Sequence, residues 1–82
     1  MALIPFPLNE FNHFSTCLPE VLDGEISRLS IRLRLQNRQT DAERRLYQEE
    51  LDRLTALKYI SRLRKGQLNR DEFRQKVELN AL

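Results

Sequence analysis

Residues Leu29–Gln36 read LSIRLRLQ, and the fold turns on how they are taken. Leu29, Ile31, Leu33 and Leu35 alternate with Ser30, Arg32 and Arg34, which is the two-residue period of a strand. The residues upstream supply a different period. Leu22, Ile26, Leu29 and Leu33 recur at spacings of four, three and four, the stripe of an amphipathic helix. The helical reading is preferred, because nothing else in the chain offers a matching strand and a lone strand leaves its backbone groups unpaired. As a helix, Ile31 and Leu35 fall opposite the main stripe. A helix with two apolar faces wants two partners.

Working back toward the N-terminus, Ser15 or Thr16 precedes Pro19 and Glu20, so the helix is expected from about Leu18 to residue 36. Gly24 weakens it by about 1 kcal/mol relative to alanine. Upstream of it, MALIPFPLNEFNHFST has two prolines and no clean period. Proline fixes its own backbone and pushes the preceding residue toward extended geometry. Residues 1–17 are therefore expected to form an extended apolar arm, anchored by side chains such as Phe6 and Phe11. Such an arm packs on the protein's own helices or on another chain.

Downstream, residues 37–39 read as a loop. Thr40-Asp-Ala-Glu43 forms a capping box, in which Thr40 and Glu43 satisfy each other's backbone N–H groups. No Gly or Pro then interrupts the chain as far as Lys65, so one helix over 40–65 is expected, a rod of about 39 Å. Leu46, Tyr47, Leu51, Leu54, Leu57 and Ile60 share its main face, while Ala56, Tyr59 and Leu63 drift onto a second one. Glu49 and Glu50 are placed to pair with Arg53. Gly66 follows the basic turn Arg62–Lys65, where a helix end favours a left-handed residue. Asn69-Arg-Asp-Glu72 is a second capping box, and Phe73 and Val77, four apart, predict a helix over about 69–79 facing the long one.

This corner, LKYISRLRKGQLNRDEFRQKVELNAL over residues 57–82, resembles the SHOCT short C-terminal helical module. The shared features are the apolar helix, Gly66, Leu68, the cap at Asn69, the Glu72-Phe73 pair and Lys76. Asn stands at the cap where that family commonly shows Ser or Thr. The resemblance covers about a third of the chain and implies a short helical hairpin used for oligomerisation or partner contact.

Eighty-two residues allow one domain. A chain of this length buries only about 60–65% of its unfolded surface, so it needs a staple or a partner. Cys17 is the only cysteine, which rules out an intrachain disulfide and a thiolate metal cluster. Neither a signal-like segment nor a membrane-spanning run is apparent, and a cytoplasmic setting is the expectation.

The net charge of +2 is unevenly laid out. Residues 1–25 hold Glu10, Glu20, Asp23 and Glu25 and no Lys or Arg, whereas eleven of the fourteen cations that follow are arginine. Six arginines between Arg28 and Arg45 face only Asp41 and Glu43; Arg34 points elsewhere, and Arg28, Arg32, Arg38, Arg44 and Arg45 are the candidate anion contacts. Arginine's planar fork suits carboxylates and phosphates, so this run serves either the chain's own acids or an external polyanion. Against nucleic acid, no aromatic residue for base stacking lies between Phe14 and Tyr47. The helix after Asn69 mixes Arg70, Arg74 and Lys76 with Asp71, Glu72 and Glu78, a poor DNA-reading helix.

Nothing in the sequence points to catalysis. His13 is the only histidine and lacks ligands at metal spacing, the adjacent acids point different ways on a helix, and two glycines make no phosphate loop. No catalytic, metal or cofactor residue and no small-molecule substrate is expected.

The reading is thus an all-α fold: a small helical bundle with a long central hairpin, a short C-terminal helix and the N-terminal arm. Its expected role is a non-catalytic protein–protein interaction module, homodimeric or higher, that adapts or inhibits a larger partner in the manner of small phage or bacterial proteins. Phe6, Phe11, Ile31, Leu35, Tyr59 and Leu63 are the expected interface. The alternative is a small basic regulator that binds DNA or RNA through the five arginines.

Overall fold

A computed structural model describes residues 2–81. The chain is mostly helical, with 69% of these residues in four helices, and carries a small two-stranded sheet. The order is β1 (Ile4–Pro7), α1 (Leu8–Thr16), α2 (Pro19–Leu35), α3 (Asp41–Arg64), α4 (Arg70–Arg74) and β2 (Val77–Asn80).

The helix α3 is the spine of the core. Ala56, Leu57 and Ile60 on it have no exposed surface, and α1, α2, α4 and β1 all pack against it. From α2 come Leu22, Leu29 and Leu33, so LSIRLRL is helical up to its cap at Gln36, and its three-and-four spacing governs which residues are buried. Phe14 enters from α1, Phe6 and Val77 from the sheet, and Leu68 and Phe73 from the corner. Each fully buried residue of this kind contributes about 1.5–3 kcal/mol of apolar burial.

Both helix starts read as capping boxes are formed. Thr40 accepts the Glu43 N–H at 3.1 Å and Glu43 accepts the Thr40 N–H at 2.9 Å; Asn69 and Glu72 repeat the exchange at 2.8 and 3.1 Å. The Thr40 backbone N–H holds the Glu43 carboxyl below its ordinary range. Between the boxes, Gly66 takes φ +74° and ends α3. The Gln67 N–H donates to the Arg62 carbonyl at 2.9 Å and the Gly66 N–H to that of Leu63 at 3.2 Å, the paired bonds of a Schellman end.

Two expectations are corrected. Of the stretch read as an extended arm over 1–17, Ile4–Pro7 is extended but Leu8–Thr16 is helical. Pro7 precedes this helix with φ −64°, where a missing N–H costs nothing because the first turn's donors have no intrahelical acceptor anyway. Phe11 and Phe14, three apart, then both face inward. Phe11 meets the Phe73 ring at a centroid distance of 5.2 Å.

The C-terminal helix read over 69–79 stops at Arg74. Residues 77–80 instead run parallel to 4–7, pairing Ile4 with Val77 and Phe6 with Leu79. The structure is therefore not purely α. Val77 and Leu79 alternate with Glu78 and Asn80, and the Ile4 N–H donates to the Lys76 carbonyl at 3.0 Å. Pro5 and Pro7 withhold two backbone donors from the outer side of β1, which blunts that edge against further strand addition.

Candidate interaction surface

The six apolar residues expected at an interface separate into two groups. Phe6 is a core residue with 2% of its surface exposed, because β1 lies against α3; it cannot serve as a contact surface in the folded chain. Phe11, Tyr59 and Leu63 are half-buried and pack against the same core. Ile31 and Leu35 stand apart, 56% and 79% exposed on the outer side of α2. They share a shallow depression with Arg28, Arg32 and Gln36.

The helical stripe explains this division. Leu22, Leu29 and Leu33 point into α3, and Ile31 and Leu35 leave the axis on the opposite side. The α2 helix packs chiefly on α3, so this outer side has no covering element among the described residues. Leu18, Val21 and Leu46 are exposed apolar residues that the sequence reading did not assign to the surface. Their signal lies in each helix's period once the buried side is known.

The arginine cluster is largely engaged. Arg28 pairs with Glu25 at 3.2 Å on its own helix. Arg32 crosses to Glu50 on α3 at 3.1 Å, and Glu50 is nearly covered. Arg44 pairs with Asp41 and also donates to the Gln39 carbonyl at 2.9 Å. The guanidinium of Arg38 sits over the Tyr47 ring, 4.4 Å from its centroid. Arg45 is exposed on α3. Arg53, expected to pair with Glu49 or Glu50 along its own helix, instead meets Glu10 of α1 at 2.6 Å. At Arg53 a long-range partner thus displaces the local one.

Arg64 has a role that sequence reasoning missed. It lies at the end of α3 but donates to the carbonyls of Phe14 at 2.9 Å and Cys17 at 2.7 Å. Both belong to the exposed-carbonyl end of α1, so one guanidinium caps a helix that is fifty residues away in sequence. A cleft beside it is lined by Phe11, Ser15, Leu63, Arg70 and Phe73, but Arg64, its most enclosed cation, is committed to those carbonyls.

His13 lies edge-on to Phe14, with ring centroids 4.9 Å apart. Among the described residues no group of three His, Cys, Asp or Glu side chains is arranged to hold a metal ion. Among them, too, no helix is long and apolar enough to cross a membrane. In comparisons with known proteins, no family model, curated protein or solved structure matches the chain.

Proposed function

We propose that this chain is a non-catalytic protein-interaction module that self-associates and, through its remaining surface, adapts or inhibits a larger partner protein. The observation that carries the proposal is the outer side of α2. Ile31 and Leu35 lie exposed on a helix whose chief packing partner is α3, on the side turned away from it. The resemblance of residues 57–82 to the SHOCT module points to the same kind of role. A phage or bacterial accessory protein acting in the cytoplasm is the setting this proposal implies.

The nucleic-acid reading is the weaker one. Arg28, Arg32 and Arg44 each already hold a carboxylate, which leaves less charge to displace counterions from a phosphate backbone. Multi-angle light scattering on the purified chain tests the self-association, with a mass above one chain at micromolar concentration expected and a monomer contradicting it. Binding to duplex or single-stranded DNA or RNA at about 50 mM salt, collapsing as salt rises, would favour the alternative.

A further inference from the structure

The α2 helix is electrically divided along its length. Glu20, Asp23 and Glu25 occupy its first half, and Arg28, Arg32 and Arg34 its second. Its outer side also carries Gly24 and Ile31, seven residues and so about two turns apart on one face. Gly24 is an unusual residue for the middle of an exposed helix, where it costs about 1 kcal/mol relative to alanine. A side chain added there would meet nothing within 4 Å, and its φ is not positive. Neither packing within the chain nor backbone geometry requires the glycine.

We infer that a second copy of this chain covers the outer side of α2, antiparallel and related by a two-fold axis that passes near Ser27 and Arg28. The inference deepens the proposed self-association and rests on it. An antiparallel crossing midway between residues 24 and 31 sets Ile31 of each copy against Gly24 of the other, so a protruding side chain meets a notch twice over. The same register brings Val21, 47% exposed, beside Leu35 of the second copy. A two-fold interface must be self-complementary, and this face is.

Charge fixes the direction. On one flank, Glu20 and Asp23 approach Arg34 of the other copy. On the other flank, two Glu25 and two Arg28 gather near the axis, each Arg28 already 3.2 Å from its own Glu25. A parallel pairing would set acid against acid and arginine against arginine. These rim charges choose orientation more than they add affinity. The missing Cβ at Gly24 allows the helices to approach at the close end of the usual 8–10 Å separation. A pair of single helix faces buries area at the low end for a stable complex, so dissociation in the micromolar range is expected.

The test is sedimentation equilibrium of the full chain and four variants, each checked for helical content by circular dichroism. Ile31→Glu and Gly24→Leu alter exposed positions and should leave the monomer folded. Each should weaken the dimer by about tenfold or more, as expected for losing one well-buried apolar contact. Two charge variants then test the direction. Arg34→Glu alone, and Glu20→Arg with Asp23→Arg alone, should each dimerise poorly, because both ends of the pair become repulsive. Mixed together they should form a heterodimer of wild-type strength, since both ends are again complementary.

A wild-type dimer that ignores Ile31→Glu and Gly24→Leu overturns this interface while leaving self-association in place. So does a mixture of the charge variants that stays monomeric. A wild-type chain that is monomeric throughout overturns the self-association as well, and leaves the face to a different protein.

Discussion

Replacing Arg64 with alanine should cost this protein about 2–3 kcal/mol. The guanidinium donates to two carbonyls, Phe14 at 2.9 Å and Cys17 at 2.7 Å, at a part-buried site. Hydrogen bonds to a charged group are worth about 1.5–3 kcal/mol each, so two would give more than the stated cost. The site is not fully enclosed, and water can re-solvate part of what the mutation strips, which brings the net down. For a domain of this size each kcal/mol lowers the melting temperature by about 4–8 °C, so a drop on the order of 15 °C is expected. Urea unfolding at fixed protein concentration, followed by circular dichroism, reads the change as a lower midpoint with an unaltered slope. Arg64→Lys should recover less than half of the loss, because an ammonium cannot span two carbonyls as a planar fork does. A loss under about 0.5 kcal/mol for Arg64→Ala, the range of ordinary surface changes, would show that the brace between α1 and α3 is not structural.

Other outcomes follow from the same structure. Leu57→Ala empties a fully buried position and should cost about 2–5 kcal/mol, enough to leave the chain largely unfolded in a thermal melt. Gly66→Ala forces a side chain into φ +74° and should destabilise by about 1–2 kcal/mol in urea, with the helical content of the remaining folded protein unchanged. Thr40→Ala removes the cap of α3 and should cost about 1 kcal/mol. It should also flatten the acid limb of stability against pH. The Glu43 carboxyl is held below its ordinary value near 4.5 chiefly by the Thr40 N–H, so its contribution is present above that value and is lost as pH falls through the lower folded one. Part of this lowering comes from the Thr40 hydroxyl as well, which is why its removal reduces the slope.

Local chemistry made much of the architecture readable. Capping residues at Thr40 and Asn69, the stop at Gly66 and the stripe through Leu22, Leu29 and Leu33 each act within a few residues, and each is formed. The β1–β2 pair was hidden for the opposite reason. Four residues at one end bond to four at the other, and neither VELN nor IPFP has a neighbour in sequence that reveals its partner. Val77 satisfies a helical spacing from Phe73 and a strand alternation with Leu79 equally well, and only the presence of Ile4 decides. The helix α1 was hidden by its prolines, which mark its entrance at Pro7 rather than its absence. Within the candidate surface, Ile31 and Leu35 were legible because a helix with two apolar sides must expose one of them here. Phe6, Phe11, Tyr59 and Leu63 were not, because apolar character alone does not distinguish a core of distant segments from an interface.

Sedimentation equilibrium of the 82-residue chain across the micromolar range tests most directly whether its exposed apolar side exists to be covered. A mass that rises toward that of two chains, and that Ile31→Glu returns to one chain without loss of helix, is the expected result. A single-chain mass at every concentration, unchanged by that substitution, would contradict it.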